Sequence, residues 1–128
     1  MSSVEPALAA GIEEFNAGNY YEAHEIWEAL WLEVVGEEKV CYQSLVQIAA
    51  GYHKLSIGEV SGARKLLQRG LQRLSAFGPA AYGIALEPFR SAVARDLGRL
   101  QQLPWGTAGD LSLVRAPQLR LEAADGAS

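Results

Sequence analysis

The sequence predicts an all-α fold: a five-helix bundle built on two antiparallel helical hairpins with tetratricopeptide-like turns, followed by an irregular C-terminal tail. Three observations carry this. Glycines at positions 18, 36 and 58 punctuate the chain where helices need a residue that accepts the left-handed conformation. Between them, apolar residues recur at the three- and four-residue spacing of a helix face. Two segments, Gly18-Asn19-Tyr20-Tyr21-Glu22-Ala23 and Gly58-Glu59-Val60-Ser61-Gly62-Ala63, share a Gly-x-x-x-x-Ala frame at an offset of 40 residues. The tetratricopeptide period is about 34 residues, so the likeness lies in the turn. Any αα-turn also favours glycine at the cap and a small residue at the crossing.

The first helix is expected over about 4–17, with Leu8, Ile12 and Phe15 inward and Pro6 tolerated in its first turn. Asn19 is placed to cap the second, over about 20–35, with Glu22 three residues on as in a capping box. Its apolar stripe is Ala23, Ile26, Trp27, Leu30, Trp31 and Val34. The third, over about 38–57, is apolar around most of its girth, which marks a central helix. Gly51 within it lowers helix propensity, a loss that close approach of a neighbouring helix explains. The fourth, over about 60–75, turns Ala63, Leu66, Leu67, Leu71 and Leu74 inward. A loop over 76–85, marked by Gly78, Pro79 and Gly83, leads to a fifth helix from about Leu86 to Gln102, with Phe89, Val93, Leu97 and Leu100 inward. These helices are assigned to a domain over 1–103. The tail, 104–128, has no sustained helical period; Leu111, Leu113 and Val114 suit an extended strap, and Glu122 onward reads as frayed.

Composition narrows the function classes. A net charge of −4 is a poor match to nucleic acid, and the local cluster Arg64, Lys65, Arg69 and Arg73 reads as a solvated helix face. The one cysteine, Cys41, lies in an apolar run and forms neither an internal disulfide nor a multi-cysteine metal site. Residues 1–10 lack a basic leader before an apolar stretch, and no apolar run reaches the roughly 20 residues of a membrane span. A soluble, cytoplasmic protein without a membrane partner is expected.

The candidate chemistry sits on helix two, in Glu22-Ala23-His24-Glu25-Ile26-Trp27-Glu28-Ala29-Leu30-Trp31. His24 and Glu28 are one turn apart on one face, and Trp31 is on the same side. Tyr20, Trp27 and Trp31 would wall the spot. Antiparallel pairing of helices two and three brings His24, near the start of one, towards His53, near the end of the other. Glu28 would lie between the imidazoles, with His53 pointing into the bundle and Gln43 and Gln47 further down the groove. The candidate binding residues are therefore Glu22, His24, Glu25, Trp27, Glu28, Trp31, Gln47 and His53.

Three readings stand open. One makes His24–Glu28 a satisfied intrahelical pair and His53 a core histidine. A second is a site for a small ligand or peptide. A third is a metal-dependent or acid/base enzyme, of hydrolase type, with His24, Glu28 and His53 holding a divalent metal or carrying protons. Against the metal stands the usual need of a bundle site for four or more inward ligands; only Glu28 among the carboxylates is well placed. The girth of helix three also suits a homodimer or a self-associating structural protein.

The run from Phe15-Asn16-Ala17-Gly18-Asn19-Tyr20 through Trp31 resembles the DUF309 family, small helical proteins of unknown function. So do Tyr42-Gln43-Ser44-Leu45-Val46-Gln47-Ile48-Ala49-Ala50-Gly51-Tyr52-His53-Lys54-Leu55 and Gly62-Ala63-Arg64-Lys65-Leu66-Leu67. The resemblance extends over about Leu8 to Leu103. It implies an all-α fold with the Glu-x-His-Glu-x-x-Glu-x-x-Trp string on helix two, and no activity. The family-like positions are Glu22, His24, Glu25, Glu28, Trp31, Gln47 and His53. One departure is Ala85, where the family usually offers an acidic or polar cap; the change weakens a cap by about 1 kcal/mol.

Overall fold

The computed structural model describes residues 4–103 and 116–122. Five helices, α1 (Val4–Asn16), α2 (Tyr20–Glu33), α3 (Gly36–Ser56), α4 (Val60–Leu74) and α5 (Leu86–Gln101), stand where the apolar period places them. Each packs on the next, and α3 packs most extensively, against α2 and α4.

The turns explain the boundaries. Gly18 and Gly58 take φ of +90° and +82°. After α1, the Asn19 N–H donates to Glu14 O and the Gly18 N–H to Phe15 O; after α3, Glu59 donates to Lys54 O and Gly58 to Leu55 O. Both are Schellman closures, which satisfy the carbonyls a helix end leaves open. The 40-residue echo runs deeper than the turns. A Cβ built on Gly11 would lie 2.1 Å from Trp27 Nε1, and one on Gly51 would lie 2.8 Å from Leu67 Cδ2. Gly11/Gly51, Ala23/Ala63 and Trp27/Leu67 thus occupy equivalent places in hairpins α1–α2 and α3–α4. The expectation that Gly51 admits a neighbouring helix holds.

Two cap expectations are corrected. Asn19 makes no side-chain cap with α2; its amide instead donates to Glu14 Oε2 at 3.1 Å, so the Asn19/Glu22 capping box does not form. Gly36, with φ of +69°, opens α3, because Val34 and Val35 are extended and end α2 two residues early. At α5, Ala85 offers no side-chain cap, but the N–H groups of Leu86 and Glu87 both donate to Pro79 O. A loop carbonyl does the work of the missing polar side chain.

The 76–85 loop also contains structure. β1 (Ala80–Ala81) and β2 (Ile84–Ala85) pair antiparallel about Tyr82 and Gly83, both at positive φ (+53° and +78°). That is the two-residue turn whose twist suits a hairpin. β3 (Arg120–Leu121) pairs antiparallel with β2. The tail is anchored rather than loose at this point. Leu119 is fully buried, Asn16 clamps its N–H and C=O at 2.8 and 2.9 Å, and Glu122 donates to Gly83 O. The strap residues Leu111, Leu113 and Val114, and residues 123–128, lie outside the described residues.

The core gathers on one side of α3. The Phe15 ring meets those of Trp27, Tyr52 and Phe89, so α1, α2, α3 and α5 converge there. The flanks of α3 are set by other contacts. His53 and Lys39 touch α2 through Tyr21 and Trp31. Gly51, Ile48, Ser44 and Gln47 touch α4 through Leu67, Gly70 and Arg73. The remaining side of α3, with Gln43 and Ala50 half-buried along it, is covered by no helix among the described residues.

Candidate functional site

Antiparallel pairing brings the start of α2 to the end of α3, and the two imidazoles meet there, but across a tyrosine. The Tyr21 ring centroid lies 5.8 Å from that of His24 and 5.3 Å from that of His53. A ring that the sequence pattern did not single out stands against both imidazoles, while Glu28 pairs with His24. Tyr21 is 48 % exposed, so the cluster opens to solvent. The sequence carried a signal for it: Tyr21 lies three residues before His24 on the same outer flank of the helix.

His24 is half-buried, with Nε2 3.6 Å from Glu28 Oε2. Its Nδ1 is buried and meets no hydrogen-bond partner among the described residues. The Glu25 carboxylate on the next turn is the main cause that raises the Tyr21 phenol above its ordinary range, with smaller contributions from burial and from the charges of Glu22 and Glu28. His53 is half-buried against Tyr21 and is not a core histidine.

The other candidates disperse. Trp27 is wholly buried against Phe15, its indole N–H aimed at Leu8 O at 3.5 Å, so it is core and walls nothing. Tyr20 packs between Phe15 and Tyr52, also inward. Trp31 is half-buried beneath Lys39, whose ammonium sits 4.2 Å above the ring and donates to Trp31 O. Gln47 faces α4 and accepts from Arg73 Nε at 3.1 Å, away from both histidines. Glu22 and Glu25 are exposed and line an open groove of about 450 Å³ against Glu13 and Glu14 of α1. Among the described residues, no three His, Cys, Asp or Glu side chains gather closely enough to hold a metal ion, so His24, Glu28 and His53 are not assembled as a ligand set. Cys41 is buried and its thiol is pushed up to about 12, chiefly by desolvation, which keeps it un-ionised near neutrality.

A buried polar pair escaped the sequence reading. The Tyr52 hydroxyl donates to Asp96 Oδ2 at 2.6 Å inside the core. Burial raises the Asp96 carboxyl above its ordinary value, opposed by the Tyr52 bond and by Arg99 and Arg95. Burial likewise drives the Tyr52 phenol far upward. Asp96 was hidden because it interrupts the apolar stripe of α5 beside Leu97.

Charge is sorted by helix. α2 carries Glu22, Glu25, Glu28 and Glu33 and no lysine or arginine. α4 carries Arg64, Lys65, Arg69 and Arg73 and no acid. The basic cluster is only partly a solvated face: Arg64 holds the carbonyls of Leu100 and Leu103 at the end of α5, and Arg73 holds Gln47. Lys65 and Arg69 are exposed.

Residues 8–66 match the family model described as a domain of unknown function, DUF309. Over 85 residues the chain is 29 % identical to an uncharacterized protein of Aquifex aeolicus (strain VF5), a match that takes in 66 % of this chain and 26 % of the relative. The chain therefore spans about a quarter of that protein's length. The helices that carry the Tyr21 cluster, α2 and α3, lie wholly within the matched region, and over that region this chain resembles the DUF309 family, as its His/Glu/Trp string implies.

Proposed function

We propose that the chain is a helical interaction module that binds a cationic partner through an open surface centred on Tyr21, His24, Glu28 and His53. The observation that carries this is the convergence of the two histidines on one half-exposed tyrosine ring. Exposed aromatic faces attract ammonium and guanidinium groups by about 0.5–1 kcal/mol each. Glu22, Glu25 and Glu28 surround the rings with negative charge, which favours the same class of partner and speeds its encounter. An enclosed small-molecule site is less well served, because Trp27 and Tyr20 are spent in the core. No described helix is long and apolar enough to cross a membrane; we take the module to act in the cytoplasm, where the buried Cys41 stays reduced.

The test is a titration of isotope-labelled protein with a hexa-arginine peptide, followed by NMR. Shift changes are expected at Tyr21, His24, Glu28 and His53, and their loss in Tyr21→Ala with an unchanged circular dichroism spectrum. Saturation of the wild type with no change at these residues, or changes confined to the Glu13/Glu14 groove, contradicts the proposal.

A further inference from the structure

The α2–α3–α4 face carries the two signs of charge on opposite flanks of one helix. α2, on one side of α3, bears only acids; α4, on the other, bears only cations. The 40-residue correspondence that matches the two hairpins pairs Glu25 with Lys65 and Glu33 with Arg73, so the sign inverts between equivalent positions. Between the flanks, Gln43 and Ala50 run along the uncovered side of α3, with Val46 half-buried beside them. None of the three is charged, and Ala50 is small enough to let a second helix approach. Tyr21 and Ile57, 48 % and 55 % exposed, extend the face at the histidine end.

From this we infer that a second copy of the chain docks on the face, about a two-fold axis running along α3. Such an axis sets α3 beside its own copy and lays the acidic α2 of each protomer against the basic α4 of the other. A two-fold interface must be self-complementary, and a surface with separated charge of both signs meets that demand. Rotation about an axis across the helices would instead oppose α2 to α2 and repel. This inference rests on the interaction-module reading and names its cationic partner: Lys65 and Arg69 of the second copy reach the Tyr21 surface.

Sedimentation of the full chain at about 100 μM in low salt should give twice the 13.8 kDa chain mass. The dissociation constant should rise about tenfold or more between 0.05 and 0.5 M NaCl, as screening of exposed pairs requires. Two double variants separate this from a general loss of structure. Glu25→Lys/Glu28→Lys and Lys65→Glu/Arg69→Glu should each be monomeric and folded, since each opposes like charges at both contacts. Mixed in equal amounts they should form a one-to-one dimer, because both contacts are then attractive. Should either double variant fail to fold, the single variants Glu28→Lys and Lys65→Glu give the same pattern in weaker form. A monomeric wild type, or a dimer that both reversals leave intact, overturns the inference. The hexa-arginine peptide distinguishes the two proposals. If the wild type is monomeric yet binds the peptide at Tyr21, the module stands without self-docking; if the pair forms, the peptide should dissociate it.

Discussion

Two glycines on neighbouring helices should answer the same substitution with opposite sign. In a helix interior, alanine is favoured over glycine by about 1 kcal/mol, because glycine loses more backbone freedom. At Gly98 of α5 an added Cβ meets nothing within 4 Å, so Gly98→Ala should realise that gain. At Gly70 of α4 the same carbon would lie 2.5 Å from Ile48 Cγ1 and 3.1 Å from Ser44 O. Ile48 is fully buried and the second atom is helix backbone, so neither neighbour yields without moving α3 away from α4. Overpacking of this kind costs about 1–3 kcal/mol. Set against the propensity gain, Gly70→Ala should lose up to about 2 kcal/mol. At about 4 °C per kcal/mol for a chain of this size, Gly98→Ala should melt a few degrees higher and Gly70→Ala up to about 8 °C lower. Thermal and urea unfolding under two-state conditions measure both. Equal stabilisation by the two substitutions would refute the close α3–α4 crossing, and with it the placing of α4's cations beside α3.

The buried Asp96 should respond to pH in the direction its environment sets. Its carboxyl is raised on folding from an ordinary 3.8, so the folded state holds the proton more tightly than the unfolded one. Its contribution is then most favourable below about 3.8 and is lost as pH rises through the folded value. Asp96→Asn keeps an acceptor for Tyr52 and removes the buried charge; it should match or exceed the wild type in stability at pH 7 and flatten the dependence above pH 4, measured by urea unfolding across pH. Asn16→Ala breaks both bonds to Leu119 and leaves a buried N–H and C=O unpaired. It should lower stability by about 1–3 kcal/mol and raise hydrogen exchange at 119–122 more than in α3; unchanged exchange there would show that β3 holds the tail alone.

The helices were legible because their signals are local. Glycine at 18 and 58, an apolar period between them and a short turn fixed the hairpins without tertiary information. The misreadings have physical causes. Trp27 reads as a site residue because it is one turn from His24, yet it lies at the centre of the apolar stripe, and Gly11 makes room for it. Asn19 suits a cap by type, but Glu14 competes for its amide. The Tyr82–Gly83 hairpin is hidden because tyrosine rarely takes φ of +53°, and strands of two residues show no alternation. The Tyr52–Asp96 pair depends on where α5 crosses α3, which no local pattern reveals. That His24 and His53 lie at one end of the α2–α3 hairpin followed from antiparallel pairing alone, whereas the identity of the ring that touches both required the helix rotation.

One arrangement defines the proposed site: two imidazoles against the same exposed phenol ring. Carbon-edited nuclear Overhauser spectra of the intact chain test it directly. Tyr21 ring protons should show cross-peaks to the imidazole protons of both His24 and His53, as centroid separations of 5.8 and 5.3 Å require. Cross-peaks to His24 alone, which local helix geometry already provides, would contradict the site and leave only the bundle.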